Sequence, residues 1–573
     1  MSPWLYGQIG VRKGCGVDPF ARNRYVGSQV KAERISMLSL LQLRDWPRRE
    51  RVALSLIDGR VRREVTHEEL RSRALALSDY LIEQGIGYED RVAILSEPRP
   101  EWVVALFAAA RAGAAVIPLD PKLTAEELCE VARDGGPRVA FVSSRCVDAG
   151  LRMKAVVPGI EKVILLDQPP DAGPVSCMDR LKAERPHRGR ERKPEEAALI
   201  VYTSGTTGTP KGVIITFANL VFEIESLLKR LPVEETDVFY SMLPLNHLLE
   251  FTGGLCSVLY AGAEVCYGPS LLPHEILKIM AEKRVTKMVT VPLFLKLLKR
   301  ELERAEKKGE GRTMRDRLGG GFLYFISGGA ALDPEVEDFF FRSGIPVYQG
   351  YGLTECSPVV ASNSPQACRF ASVGRPLDGI EVRIQGTGGA TQEGEIQTRG
   401  PHVMRGYYRR DDLTRELVDP EGWLRTGDLG RLDGDGYLFV TGRLKDLIVL
   451  GNGKKVQPEE VEAALAQSAL LKEICVVGVK ATSGLLAGTE EICAVVVASE
   501  ETGARYGGQP ELLQEAIRVE IERLGASIAA YKRPSRLVLY PGALPRSVSN
   551  KVKRQLVSRW LDEHAAAQPQ PKE

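Results

Sequence analysis

Short apolar runs alternate with helical patterns along most of the chain, and this alternation restricts the fold more than any other feature. RVAILS (91–96) and AAVIPLD (114–120) are apolar on both faces, as strands must be in a sheet covered by helices on both sides. Between them the alanine-rich stretch Trp102–Ala112 reads as a helix. An earlier helix is delimited by a capping box, Thr66 with Glu69, and by Gly85 as its stop, with Leu70, Ala74, Leu77 and Leu81 on one face. The alternation returns at VTKMVTVP (285–292), FLYFISGG (322–329) and IPVYQGYG (345–352), each strand running into a loop of the kind where α/β sheets bind ligands.

Two changes of character divide the chain. From about 365 to 441 short strands with glycine turns (GIEVRIQG, GEIQTRG, GYLFVTGR) indicate a β-rich subdomain that completes a large α/β domain, residues 1–441. Beyond it, helical patterns near 458–467 and 510–524 flank EICVVGVK and EICAVVVA, so 442–573 reads as a small α+β domain. The first sixty residues are arginine-rich and weakly patterned, and no chemistry is assigned to them. The tail AAAQPQPKE reads as disordered.

Bulk properties exclude several classes. A chain of 573 residues needs more than one core. Lys plus Arg number 77 against 75 Asp plus Glu, which argues against a nucleic-acid binder. Ten cysteines without a CxxC pair, and six histidines in no ligand spacing, indicate neither a disulfide framework nor a structural zinc site; a reducing, cytoplasmic compartment fits. The start lacks the apolar core of a signal peptide. The most apolar stretch, Trp102–Leu119, is broken by Arg111 and a glycine, so no membrane-spanning segment is expected.

The strongest local signal is LIVYTSGTTGTPKGV (199–213), an apolar strand running into hydroxyls, glycines and one lysine. Gly205 and Gly208 let backbone N–H groups approach phosphate oxygens. Thr203, Ser204, Thr206 and Thr207 add donors, and Lys211 adds charge. The spacing is not that of a P-loop NTPase. A polar surface turn is the bland alternative.

YTSGTTGTPKG resembles the signature of the adenylate-forming superfamily, which includes acyl-CoA synthetases, luciferases and peptide-synthetase adenylation domains. Further motifs follow in order: LPLNHLLE (243–250), SGGA (327–330), YQGYGLTE (348–355), GEI (394–396), WLRTGDLG (423–430), GRLKDLIVLGNGKKV (442–456) and LPRSVSNKVKR (544–554). The resemblance implies an ANL-type fold with a mobile C-terminal domain, and activation of an acid by ATP with Mg²⁺. It also implies residue roles. Glu355 would hold Mg²⁺, Thr354 the α-phosphate, and Gly350, Tyr351 and Gly352 the side of the adenine. Gly328, Gly329 and Ala330 would form a tight adenine-facing strand end. Asp428 would accept both ribose hydroxyls as a short carboxylate on a turn, with Arg443 as second ribose contact. His247 would lie beside the acyl carboxylate, Lys551 would bridge carboxylate and phosphate, and Lys445 would be the hinge. Asn550 stands where the family usually has glycine, a turn geometry that asparagine tolerates.

Taken singly, each residue has a plainer reading. Glu355 suits a helix N-terminus, Asp428 an ordinary turn and His247 simple packing. Lys551, Lys553 and Arg554 suit a solvated basic surface. As a set they imply a medium- to long-chain fatty acid ligase that uses coenzyme A. The alternatives are an acyl–acyl carrier protein synthetase, with Lys454 and Lys455 in a docking patch, and a non-catalytic nucleotide-binding scaffold. The arginine-rich start also allows peripheral membrane contact.

Overall fold

The computed structural model of the chain describes residues 39, 46, 50–167, 177–203, 210–307, 313–386, 393–450, 454–480, 490–546 and 552–564. β1 (Val52–Asp58) and β2 (Val61–Thr66) form an antiparallel hairpin inside the stretch that carries no readable pattern. Its signal is Asp58–Gly59, with Gly59 at φ +57°. α1 (His67–Glu83) starts at the expected capping box: the Thr66 hydroxyl accepts from the Glu69 N–H, and the Glu69 carboxylate accepts from the Thr66 N–H.

β3 (Arg91–Leu95), α2 (Pro100–Ala112), β4 (Ala115–Leu119), α3 (Ala125–Gly135), β5 (Val139–Val142), β6 (Lys162–Leu165), β7 (Ala197–Thr203) and β8 (Lys211–Thr216) build the first sheet. Its order is β8-β7-β4-β3-β5-β6, parallel from β7 to β6, with β8 antiparallel and a two-residue strand from later in the chain beyond it. The second sheet follows α4 (Phe217–Arg230). It takes β9 (Val238–Ser241), β10 (Glu264–Tyr267), α5 (Pro273–Lys283), β11 (Lys287–Thr290), α6 (Pro292–Lys307), β12 (Tyr324–Ser327), α7 (Pro334–Arg342), β13 (Val347–Gly352), β14 (Val359–Ser362) and β15 (Arg375–Pro376). Nine strands run β15-β14-β13-β12-β11-β9-β10-β1-β2, parallel from β13 to β1.

One core joins the two sheets. Val92, Val116 and Val201 of the first sheet, residues of α1, α2 and α4, and Val265, Val289 and Ile326 of the second belong to one buried cluster. α2 is therefore covered on all sides, from Trp102 to Ala112 except Arg111, which donates to Asp79 at 2.8 Å. Burying side chains such as Trp102 and Phe107 stabilises the fold by about 2–3 kcal/mol each. The outer faces carry α3 on the first sheet and α5, α6 and α7 on the second, so helices and sheets alternate in five layers.

β16 (Glu381–Gly386), β17 (Gly394–Arg399), β19 (Leu424–Leu432) and β20 (Leu438–Arg443) form a four-stranded antiparallel sheet, while β18 (Gly406–Tyr407) returns to pair with β8. The rest of the chain has its own sheet. The small pair β21 (Ile448–Val449) and β22 (Lys455–Val456) precedes α8 (Pro458–Leu465), β23 (Leu471–Lys480), β24 (Glu490–Ala498), α9 (Pro510–Gly525), β25 (Arg536–Leu539) and α10 (Arg554–His564). α8 and α9 cover one face of this sheet, and α10 covers the other with Val557 and Leu561. Arg554 is not a solvated cation: it reaches Glu459 and Glu462 at 2.8 Å each and ties α10 to α8. Among the described residues no helix is long and apolar enough to cross a membrane.

The second sheet contains one fully buried cation. Lys287 donates to Asp237 and, at 2.9 Å, to the Pro232 carbonyl, between the rings of Phe239 and Tyr324. Burial holds its ammonium below the ordinary lysine value even though Asp237 opposes that shift. Lys287→Met removes the partner of a buried carboxylate, and a urea titration should show a loss of about 3–5 kcal/mol.

Candidate active site

β7 and β8 pair so that Thr203 lies opposite Lys211. The loop between them carries Ser204, Gly205, Thr206, Thr207 and Gly208, which lie outside the described residues. The Lys211 ammonium sits 5.6 Å from the centre of the Tyr407 ring, and the Tyr407 hydroxyl donates to Glu355 Oε1 at 2.8 Å. Tyr407 is placed by β18, where it pairs with Val213, and by Thr414, whose hydroxyl accepts the Tyr407 N–H at 2.9 Å. Burial and the Glu355 carboxylate raise its phenol above the ordinary value, which keeps it a donor. One aromatic ring thus separates a fixed ammonium from a fixed carboxylate, the pair that a polyphosphate with a divalent cation needs.

Thr354 and Glu355 lie on a single turn of 3₁₀ helix after β13. The close backbone there demands glycine: a Cβ on Gly352 would fall 1.7 Å from the Pro358 carbonyl oxygen. Beside this turn Tyr351 donates to Asp428 Oδ2 at 2.8 Å, and Arg443 approaches Asp428 Oδ1 at 2.9 Å. Asp428 is not on a turn but inside β19, directly opposite Arg443 of β20. The reason is local. Glu395 of the GEI motif is buried and accepts the Gly427 N–H at 3.2 Å, while the Thr426 hydroxyl donates to the Ile396 carbonyl at 2.6 Å and accepts from the Asp428 N–H. These bonds hold the strand through its irregularity and aim the carboxylate at Tyr351.

Gly328, Gly329 and Ala330 follow β12, with Gly329 at φ +81°. A Cβ on Gly328 would press on Leu249 at 2.9 Å, so the strand end and the LPLNHLLE segment touch. Between them lies a slot of about 30 Å³, lined by Leu231, Phe239, Leu249, Val289, Ile326 and Gly350 among others. His247 is half-buried at the head of this segment, and its carbonyl accepts the N–H groups of Glu250 and Phe251 at 3.1 and 3.0 Å. A π-helical turn, Glu250–Cys256, begins there. The Glu250 carboxyl is fully buried, with Ser241 and the Leu243 backbone nearest; burial pushes it up to about 8.

Lys445 lies on the turn Leu444–Asp446, just beyond Arg443. Burial, and then the Arg443 charge, hold its ammonium below the ordinary value. Gln457, at the start of α8, donates to Glu393 at 3.0 Å and to Thr441 at 3.2 Å, so the last sheet leans on the strand that carries Arg443. Lys551 and Asn550 lie outside the described residues. The structure therefore brings Thr203, Lys211, His247, Gly328–Ala330, Gly350–Glu355, Asp428, Arg443 and Lys445 to one edge. The sequence reading passed over Tyr407 and named Glu395 only within the GEI motif, without a role; a tyrosine on a two-residue strand has no periodicity to betray it.

The chain is similar to known proteins over most of its length. Residues 43–408 match the family described as AMP-binding enzyme, and residues 445–563 match its C-terminal domain. The long-chain-fatty-acid–CoA ligase FadD13 of Mycobacterium tuberculosis is 29% identical over 497 residues, covering 85% of this chain and 91% of that ligase. An indoleacetate–CoA ligase of Aromatoleum aromaticum is 31% identical, covering 87% and 94%. The ATP-bound crystal structure of MatB from Rhodopseudomonas palustris superposes with a TM-score of 0.78 at 25% identity, covering 92% of this chain and 99% of that one.

The Tyr407 hydroxyl bonds to a charged acceptor, an interaction worth about 1.5–3 kcal/mol net. Tyr407→Phe should therefore weaken ATP binding in the presence of Mg²⁺ by about tenfold or more, read by isothermal titration, with the melting temperature nearly unchanged. Wild-type affinity in this variant would show that the tyrosine does not position Glu355.

Proposed function

The chain belongs to the AMP-binding enzyme family and has the ANL-type adenylating fold, and from that premise we propose that it activates a carboxylic acid with ATP and passes the acyl group to the thiol of coenzyme A. The observation that carries this reading is the meeting of Lys211, Glu355 and the Asp428–Tyr351–Arg443 group at one edge, beside an apolar slot. A carboxylate is a poor acyl donor because thiolate attack must expel oxide. In the first step the acid's oxygen attacks the α-phosphorus of ATP, and the bond to pyrophosphate breaks. In the second the thiol sulfur attacks the acyl carbon, and AMP leaves with the bonding pair.

Each residue has a task in that scheme. Lys211 and the 204–209 loop hold the phosphates, Thr354 the α-phosphate, and Asp428 with Arg443 the ribose. Among the described residues no group of three His, Cys, Asp or Glu side chains gathers to hold a metal alone. Glu355 fits Mg²⁺ as the single protein carboxylate for an ion that arrives with the nucleotide's own phosphate oxygens, and the ion would supply charge neutralisation there. His247 orients the acid. Lys551 joins the site from the C-terminal domain, residues 442–573, which turns about Lys445.

A medium- to long-chain fatty acid is the acid we favour, supported by the leucine, valine and phenylalanine lining of the slot and by the fatty-acid ligase FadD13 among the relatives. α4 and the π-helical turn contribute Leu227 and Gly253 to this lining. The unpaired thiols of the described cysteines support a reducing, cytoplasmic setting. An acyl carrier protein is the alternative acceptor.

A panel of acids of graded chain length, assayed with coenzyme A or carrier protein, tests the reading: product on carrier protein alone removes the coenzyme, and no pyrophosphate release with any acid removes catalysis. Lys551→Ala should slow acyl-adenylate formation by some hundreds of times, as expected for about 3–4 kcal/mol from one charged donor in a dry site, and should spare thioester formation from supplied acyl-adenylate. Lys445→Pro should do the reverse. Equal slowing of both half-reactions by Lys551→Ala, with the fold intact, overturns its assigned role.

A further inference from the structure

α6 has two unlike faces. Phe294, Leu295, Leu298 and Leu302 are buried against the outer layer of the second sheet. The opposite stripe, Leu293, Lys296, Leu297, Arg300, Arg304 and Lys307, is exposed. At helical spacing these six positions fall within an arc of about 100°. The stripe is two leucines and four cations without an acid. Glu301, Glu303 and Glu306 lie outside the arc, and the ion pair of the helix, Lys299 with Glu303 at 3.9 Å, lies off it too. Among the described residues none of the four cations meets a carboxylate.

The apolar part of this face is larger than one helix supplies. Leu293 and Leu297 are 45% and 41% exposed, and Leu271 and Leu272, immediately before α5, are 54% exposed each. α5 follows β10 and α6 follows β11, two parallel strands of one sheet, so all four leucines stand at its carboxyl-end edge. α5 packs on α6, and its own exposed positions beside them include His274 and Lys278. A helical stripe that merely faces water mixes acids with bases and does not leave four large apolar side chains wet at one edge.

We infer that this face, the outer stripe of α6 with Leu271 and Leu272, docks the protein on an anionic phospholipid surface. The leucines enter the headgroup boundary while Lys296, Arg300, Arg304 and Lys307 meet lipid phosphates. The charge on the stripe selects this occupant: four cations that meet no carboxylate among the described residues complement a negative bilayer. The slot and the stripe lie on opposite faces of the second sheet and share its carboxyl-end edge, where β11, which contributes Val289 to the slot, leads into α6. A lipid-soluble acid would then be drawn from the surface on which that edge rests. The docking itself stands on α6 and not on which acid is activated.

Flotation of the full chain with phosphatidylcholine vesicles, with and without phosphatidylglycerol, tests the inference. The protein should float with the anionic vesicles only and be released by high salt. Lys296→Glu with Arg300→Glu, or Leu293→Ser with Leu297→Ser, should each lower the bound fraction about tenfold or more, while the melting temperature and activity on a short soluble acid stay at wild-type values. Failure to float with anionic vesicles overturns the inference. So does flotation of the stripe variants equal to wild type, which would move the contact to the arginine-rich start. Binding of an acidic carrier protein by the stripe, with no vesicle binding, overturns it in favour of a protein partner.

Discussion

α2 is buried on every side but one residue, and this single helix obliges both large sheets to lie against it. A sheet that must cover an alanine-rich helix comes close to it. Two sheets sharing that helix cannot slide relative to one another without opening a cavity in a close-packed core. The edge where β9, β11, β12 and β13 end is thus held at a fixed distance from the hairpin β7–β8. β18 completes the restraint by pairing with β8 after the chain has left the second sheet. That return carries Tyr407 to the gap between Lys211 and Glu355, so the contact between ammonium, ring and carboxylate follows from how the layers close.

The carboxyl groups near the site divide by environment into two kinds. Asp428 and Glu355 have donors already aimed at them, Arg443 and Tyr351 for the first and Tyr407 for the second. Glu223 and Glu250 are wholly enclosed without a cation, and burial raises both above the ordinary glutamate value. Glu223 accepts the Val359 N–H at 3.0 Å and so fastens α4 to β14. The first pair has charge to offer a ligand. The second pair is enclosed by the packing of α4, β14 and the π-helical turn, where burial disfavours the charged form of both.

The layered fold was legible because its strands are buried on both faces and its first helix carries its own caps: RVAIL, AVIPL and the Thr66–Glu69 box need nothing distant to be recognised. β1 and β2 were passed over because VALSLID and VRREVT sit in an arginine-rich setting, where the Asp58–Gly59 turn was the one clear mark. Asp428 was expected on a turn because TGD reads as one locally. Its strand is imposed by Glu395, more than thirty residues earlier, through the Gly427 N–H. Arg554 looked like a solvated cation beside two lysines, and its burial depends on Glu459 and Glu462 of another helix. In each case the decisive partner is distant in sequence, which a local pattern does not encode.

The proposed nucleotide edge is tied to the last part of the chain through neighbours on one strand. Asp428 and Arg443 face each other across β19 and β20, and the proposed hinge Lys445 lies two residues beyond Arg443. Arg443 is shared: its guanidinium answers Asp428, while its charge, with burial, disfavours the ammonium of Lys445. In the proposed function, ribose hydroxyls bonded to Asp428 would meet Arg443 at the same carboxylate, and a movement of Arg443 would change the field at Lys445. Because Gln457 of α8 leans on Thr441 of the same strand, that movement is also felt by the terminal sheet. A hinge placed here would need no long pathway, because the proposed ribose contact and the proposed pivot are neighbours at one strand end.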